Sequence, residues 1–332
     1  MTLQPPEGGN GPGLTITEGQ PARAANGFER IKGLCRRALG RHTVQYVSYY
    51  IRGNQQFWQD TFASAHAPGI ASPDDAKRKR ESLETSGQHL HYVVARLDKA
   101  FEPVRSGRLI RCVFDVGEGA LFYYSPFHGE YLVGASLEES PVDEADATMV
   151  WLCDEVRLAR GYGGNQNPAG EHTKYDVDVD PADLLPQERY IDEYAVSGDS
   201  RGELSGHLRA ALSPEALHYV AYFEGPDLVR SADLLRHRRL GSFTVGTEHA
   251  DRRKHYERIG KLTHITSHRM DRMLLPLLGG VLHRVVLDVE AGAVYYRRLG
   301  NDQALIGITL DQAKVAVAEA ALNTLAQAIA AR

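Results

Sequence analysis

The sequence predicts an α/β protein of the α+β sandwich type, built as two tandem copies of one domain. Each copy is expected to be a five-stranded, mainly antiparallel sheet with helices on both faces. Three observations predict this. The stretch "RLIRCVFDVGEGALFYY" at Arg108–Tyr124 returns as "VLHRVVLDVEAGAVYY" at Val281–Tyr296. The shift that carries Leu109 to Leu282 also carries Arg111 to Arg284, Asp115 to Asp288, Gly119 to Gly292 and Tyr123 to Tyr296, with no gap. It holds upstream through His91/His264 and Tyr46/Tyr219 and downstream through Leu137/Leu310, a span over which chance similarity loses register. Finally, 332 residues suffice for two cores.

Each copy opens on an amphipathic helix. Phe28, Ile31, Leu34, Cys35, Ala38 and Leu39 recur at steps of three and four in copy one, as do Leu204, Leu208, Ala211 and Leu212 in copy two. A strand follows at 44–51 and at 217–223, rich in β-branched and aromatic residues that suit a pleated surface. "RGN" and "EGPD" mark the turns into a returning strand at 56–62 and 228–234. A long helix comes next. In copy one "SPDD" sets its start, with Ser72 as N-cap, Pro73 at the first helical position and two aspartates against the positive end of the dipole. Copy two starts it near Thr247.

Leu83, Leu90, Val94, Leu97, Phe101 and Val104, matched by Ile259, Leu262, Met270, Met273 and Leu277, give this helix one apolar face. At ~1.5 Å per residue it outruns the strands before it, so part of it is expected to project. The repeated phrase itself supplies a hairpin, with Gly119 and Gly292 as the left-handed turn residues. A fifth strand at 131–137 and 305–310 and a closing helix at 142–160 and 312–330 complete each copy. Strands such as "RVVLDV" lack in/out alternation, which implies a sheet covered on both faces.

The resulting domain plan is a disordered Pro/Gly-rich tail at 1–25, copy one at 26–160, an acidic Pro/Gly-containing linker at 161–200 and copy two at 201–332. A net charge of -5 with both signs interspersed does not supply the field that phosphate backbones reward, which argues against nucleic acid as partner. "KRKR" at 77–80 lies between acids and reads as a solvated helix face. No apolar stretch reaches the ~20 residues of a membrane span, and the N-terminus lacks the layout of a secretory signal. Cys35, Cys112 and Cys153 are far apart and form no CxxC, which fits a reducing, cytoplasmic setting.

The order helix, hairpin, long helix, three-stranded meander, helix resembles the roadblock (dynein light-chain) family, a profilin-like α/β sandwich. The resemblance covers about 28–160 and 201–332. Where roadblock domains often carry Asp-Gly in the first hairpin, this chain has Arg52-Gly53-Asn54 and Glu224-Gly225-Pro226-Asp227, which keeps longin-, GAF- and PAS-like readings open. The resemblance implies interaction rather than catalysis: paired roadblock platforms dock Ras-like GTPases, motor chains or signalling scaffolds. It implies an intrachain pseudo-dimer, a protein partner such as a small GTPase, and a capacity for homo-oligomerisation. The alternatives are a GAF/PAS-like small-molecule sensor and a structural subunit of a larger assembly.

Catalytic motifs give little. The chain has no GxxxxGK[ST] and no GxSxG, and "GEGALF" at 117–122 lacks the third glycine of a dinucleotide fingerprint. His264 and His268 stand four apart on the long helix, but Ile265 fills the general-base slot of HExxH and copy one has Ala95 opposite His268. "DVDVDPAD" at 176–183 has Pro181 where a calcium loop needs glycine. No catalytic, metal-binding or cofactor-binding residue is therefore expected. The strand tyrosines, from Tyr46 to Tyr296, read as core. Positions that differ between the copies mark the candidate partner surface: Phe57 against Arg230, Trp58 against Ser231, and Tyr131 against Ala304.

Overall fold

In a computed structural model, the described residues of the chain are 14–22, 27–137, 141–162, 190–195, 202–244, 246–300 and 302–331. In copy one, the apolar steps of 28–39 form helix α1 (Glu29–Ala38), and strands β2 (Tyr46–Ile51) and β3 (Asn54–Asp60) make the first hairpin. Helix α2 (Pro73–Phe101) begins where "SPDD" requires, with the Ser72 hydroxyl accepting from the Asp75 N–H at 3.2 Å and the Asp75 carboxylate accepting from the Ala71 N–H at 3.0 Å. Strands β4 (Leu109–Asp115), β5 (Ala120–Phe127) and β6 (Glu130–Ser136) form the meander, and α3 (Val142–Ala159) closes the copy. Copy two repeats the order as α4 (Gly202–Ala211), β8 (Tyr219–Glu224), β9 (Asp227–Asp233), α5 (His249–Leu278), β10 (Arg284–Val289), β11 (Gly292–Arg298), β12 (Gln303–Thr309) and α6 (Val315–Ala330).

Each copy contributes six sheet strands, one more than expected. The extra ones are β1 (Thr17–Gly19), antiparallel to β3, and β7 (Asp192–Ala195), antiparallel to β9. The strand orders are β1-β3-β2-β6-β5-β4 and β10-β11-β12-β8-β9-β7. Both added strands lie in stretches read from composition as tail and linker. They are three and four residues long and polar, so they carry no periodic signal. What anchors them is charge. Glu18 meets Lys32 at 2.7 Å and Arg36 at 2.8 Å on α1, and Glu193 meets Arg209, the repeat equivalent of Arg36, at 3.3 Å on α4. The rest of the tail before residue 14, and the "DVDVDPAD" stretch, lie outside the described residues.

Two compact units form. The first gathers the described residues of Met1–Ala95, Ile110–Gln166 and Arg269–Leu282, the second those of Arg96–Leu109, Asn167–His268 and His283–Arg332. The final turns of each long helix thus belong to the unit built on the other copy. In the second unit the 96–109 segment is held by Glu290, whose N–H donates to the Arg108 carbonyl at 3.1 Å and whose carboxylate accepts from the Arg108 guanidinium at 3.2 Å.

The sheets are covered on both faces. Strands β4 and β6 are buried at every residue, which explains their missing alternation. Tyr49 points to the α1 face, where it meets Phe28 edge-on at 5.4 Å, while its neighbour Tyr50 points to α2. The strand tyrosines Tyr46, Tyr49, Tyr123, Tyr219, Tyr222, Tyr295 and Tyr296 are core residues, all under 8% exposed. The glycines of the second hairpin correct one expectation. Gly119 is not left-handed; Gly117 is, at φ 96°. Gly119 is required because a Cβ would stand 2.6 Å from the Ser136 carbonyl, and at Gly292 the equivalent Thr309 carbonyl occupies the same place.

The deepest conservation of chemistry between the copies is an ion pair. Asp60, fully buried at the end of β3, accepts from Arg80 of α2 at 2.5 and 2.9 Å, and Asp233 at the end of β9 accepts from Arg253 of α5 at 2.6 Å. Each aspartate also accepts from a backbone N–H two residues on, that of Phe62 at 3.0 Å or Leu235 at 3.1 Å. Asparagine at Asp60 keeps that last bond but strands the Arg80 guanidinium, whereas at Asp233 it leaves Arg253 a second carboxylate, Asp192 at 3.3 Å. Asp60→Asn is expected to lower unfolding free energy by about 3–5 kcal/mol in chemical denaturation and Asp233→Asn by less, and pairing D60N with Arg80→Met is expected to recover much of the loss.

A second shared device differs in chemistry. The Gln45 side chain accepts from the Leu137 N–H at 2.8 Å; its equivalent His218 accepts from the Leu310 N–H at 2.9 Å through Nδ1, leaving Nε2–H to donate to the Pro214 carbonyl at 3.0 Å. Both ring nitrogens are committed in the neutral form, and burial lowers the His218 pKa to about 4. The unfolded chain takes up this proton near its ordinary value of about 6.5, the folded chain only near 4. Stability from this group is therefore whole above pH 6.5 and lost as pH falls through that window, by about 3 kcal/mol. His218→Gln, the copy-one residue, should flatten the pH dependence of the denaturation midpoint between pH 4 and 6.5.

Candidate functional site

The four sequence-predicted surface residues do not form one surface. Phe57 and Tyr131 are 0% and 2% exposed, which corrects their assignment to a partner face. Phe57 lies on the α1 side of β3, opposite Tyr49, with Phe28 at 6.4 Å and the Lys32 ammonium 5.8 Å from its ring. Trp58, half-buried, lies across from Gly19 of β1 and has the Arg80 guanidinium 5.2 Å from its ring. Arg230 is half-buried on β9, 3.8 Å from Glu193 of β7. These positions stand out in the sequence because they differ between copies; Phe57, Trp58 and Arg230 lie on β3 and β9, the strands that β1 and β7 cover with different side chains.

Tyr131 nevertheless leads to a site. Its ring stacks on Tyr50 at 4.7 Å and Tyr123 at 5.1 Å, and His91 of α2 stacks on it at 6.0 Å. Its hydroxyl donates to the Gly87 carbonyl at 3.2 Å, and the Tyr50 hydroxyl donates to the Glu84 carbonyl at 3.3 Å. This seats one face of α2 against the outer end of the β2–β3 hairpin. That hairpin turns through Arg52 (φ 49°) and Gly53 (φ 80°), two successive positive φ values as a type I′ turn demands. In copy two Gly225 alone is positive (φ 58°) and Pro226 follows it, the type II′ pattern.

Between the hairpin and α2 a cavity of about 550 Å³ opens to the surface. Its strand wall is Gln55 and Gln56, its helix wall Glu84, Gln88 and His91, which share a face at steps of four and three, and Tyr92 stands at its rim 72% exposed. A Cβ on Gly53 would approach the His91 ring to 3.1 Å, so the turn closes tightly on the imidazole. A second cavity of about 370 Å³, lined by Phe62, His66, Ile70, Pro73 and Arg80, lies beside the start of α2.

No protein-family model matches the chain, and no curated protein matches it. Among solved structures it is similar to the gliding protein MglB of Thermus thermophilus, 14% identical over 43% of this chain and 99% of that one, with a TM-score of 0.33. It is also similar to an MglB with tetrameric arrangement, at 14% identity over 42% and 95%, TM-score 0.32. A third is Myxococcus xanthus MglB, at 12% identity over 40% and 97%, TM-score 0.31. Identities this low leave the chemistry of the site to this chain's own residues.

The cavity residues escape the sequence reading although the repeat marks them. Gln55, Gln56, Gln88 and Tyr92 fall opposite Leu228, Val229, Lys261 and Ile265, while Glu84 and His91 fall opposite Glu257 and His264. The strand wall is thus polar only in copy one. His264 is 4% exposed and its ring lies 4.6 Å from that of His268. Burial, with the charges of His268 and Arg298, lowers the His264 pKa. Among the described residues no group of three His, Cys, Asp or Glu side chains is placed to hold a metal ion. No described helix is long and apolar enough to cross a membrane.

Gly87 fixes the distance between this helix wall and the sheet, because a methyl there would overlap the Tyr50 hydroxyl. Helix propensity alone predicts that Gly87→Ala stabilises α2 by about 1 kcal/mol. Close packing predicts the reverse, a loss of about 1–3 kcal/mol in denaturation, with disturbed Tyr50 and Tyr131 ring resonances.

Proposed function

We propose that the chain is a non-enzymatic protein-interaction platform whose contact surface lies on the middle turns of α2, around the cavity and Tyr92. The observation that carries this reading is the pattern of divergence. Both copies keep the ion pair between second strand and long helix, the buried carbonyl approach at the second hairpin and the clamp on the edge strand. What changes between them is the middle of the long helix, where copy one places an exposed aromatic beside a polar concavity. Exposed aromatics next to pockets are favoured anchors of protein contacts.

The narrower reading, that the partner is a small Ras-like GTPase and that the chain regulates it from the cytoplasm, rests on the roadblock resemblance. A sensor reading of GAF/PAS type is less well supported, since Tyr50, Tyr131, Leu83 and Leu90 fill the space between sheet and long helix where such a domain would hold its ligand.

Purified protein should capture a small GTPase from the same organism, loaded with GDP or a non-hydrolysable GTP analogue, in one nucleotide state more than the other. Tyr92→Ala should weaken capture at least about tenfold. Recovery of no GTPase in either state would sink the GTPase reading, and equal partner capture by wild type and Y92A would sink the placement of the surface.

A further inference from the structure

The two short strands that cover the sheet edges obey one rule, although they are not copies of each other. The shift that carries Leu109 to Leu282 carries Glu18 to Ile191, so Glu18 and Glu193 are not repeat equivalents. Their surroundings are. Glu18 lies across from Gln59, accepts from its amide at 2.8 Å, and meets Lys32 and Arg36 of α1 at 2.7 and 2.8 Å. Glu193 lies across from Ala232, accepts from the Ser205 hydroxyl and meets Arg209 of α4 at 3.3 Å. Gln59 and Ala232, Lys32 and Ser205, and Arg36 and Arg209 are equivalent positions of the two copies. Two unrelated stretches thus place a carboxylate in the same receptor, formed by the first helix and the strand beside it.

The residue after the glutamate is selected too. In copy one it is Gly19, opposite Trp58, and a Cβ there would come within 2.3 Å of the indole ring. In copy two it is Tyr194, opposite the small Ser231. An arginine of the long helix lies against whichever ring is present, Arg80 5.2 Å from Trp58 and Arg253 3.8 Å from Tyr194. The copy-one groove therefore takes an extended segment with glutamate followed by glycine and rejects a side chain at the second position.

β1 fills this groove without belonging to the core. None of its three residues is buried, whereas β3 beside it is buried at five of seven positions. Glu18 and Arg36 are both solvent-accessible, and ion pairs of that kind hold weakly. Lys32 is 8% exposed, and among the described residues its other acid is Glu29 at 3.6 Å, itself exposed. Departure of Glu18 leaves a buried ammonium that calls for a new carboxylate. Departure of the strand leaves a row of unpaired β3 backbone groups, a template for another strand. Pro21 and Ala22, which follow β1, line the cavity beside Tyr92, so this edge adjoins the contact surface proposed above.

We propose that the β3 edge is a binding site for an extended segment of a partner protein in which glutamate is followed by glycine, and that β1 is its built-in competitor. The partner segment adds to the sheet in place of β1, its main chain pairing with β3 and its carboxylate taking Lys32, Arg36 and Gln59. The inference rests on the interaction reading for the existence of a partner, and on the two edges themselves for what the groove accepts.

The test uses the full chain with no partner present. The probe is a dye-labelled heptapeptide with the sequence of residues 14–20, LTITEGQ, followed by fluorescence anisotropy, with the Trp58 indole N–H signal in NMR reporting the place of binding. Two variants free the groove independently. Glu18→Lys turns the carboxylate into a charge that Lys32 and Arg36 repel, and Gly19→Val drives a side chain into Trp58. Both should bind the peptide at least about tenfold tighter than the wild-type chain, whose own β1 competes at high effective concentration. On either variant, peptides with glutamine for the glutamate or alanine for the glycine should bind at least about tenfold more weakly, as should the parent peptide when Arg36→Ala is added.

Absence of saturable binding to both variants up to about 5 mM peptide overturns the site. So does equal binding of the glutamine and alanine peptides, or saturation without a shift at Trp58. Equal affinity for wild type and both variants overturns the role of β1 as competitor. A wild-type chain that dimerises in sedimentation, with the dimer dissociated by the peptide, overturns the foreign partner in favour of a second copy's β1. If peptide binding fails while partner capture remains sensitive to Y92A, the edge site is lost and the surface at Tyr92 stands.

Discussion

Everything in each copy is referred to one buried charge pair, the aspartate that ends the second strand and an arginine in the early turns of the long helix. A carboxylate with no exposure is tolerable only with a partner of opposite sign and its remaining lone pairs filled. Asp60 and Asp233 meet both conditions in the same way, with the guanidinium on one side and a backbone N–H from the following turn on the other. The pair sets where the long helix begins relative to the hairpin, and hence which helix face reaches the outer turn. The stack of Tyr50, Tyr131 and His91 then fixes the distance between helix and sheet, and the cavity at the hairpin is what that distance leaves over.

Duplication lets one copy act as the control for the other. Where both copies solve a problem with the same atoms, as at Gly119 and Gly292 against the carbonyls of Ser136 and Thr309, the constraint is steric and structural. Where they use different atoms for the same bond, as with Gln45 and His218, the fold needs an acceptor and the side chain is free to vary. Where one copy has polar atoms and the other has none, as with Gln55 and Leu228, the fold needs neither, and the polar group calls for a reason outside the core.

Most of the architecture is legible in the sequence. The helical stripes of α1, α2 and α3 and the repeated hairpin give element order and core residues, because burial imposes period and the second copy checks each assignment. The edge strands β1 and β7 are not legible, since three or four polar residues held by ion pairs leave no periodic trace. Nor is the site. Two of the differences between copies that stand out in the sequence, at Phe57 and Trp58, fall on β3 beneath the edge strand β1, where Phe57 is expected at a surface but is covered by α1. The informative differences lie close by at Gln55 and on α2 at Tyr92, and only the packing of helix against hairpin shows that these residues line one space.

The assignment of 269–282 to the first compact unit bears on how the protein is made. A ribosome that has finished residue 166 has not yet supplied everything the amino-terminal unit contains. At roughly 5–20 residues per second the missing segment follows on the order of ten seconds later. During that interval apolar positions destined for the helix tail's packing are open to water, to chaperones and to other nascent chains, so successful production depends on the latter half of the message being translated promptly and intact.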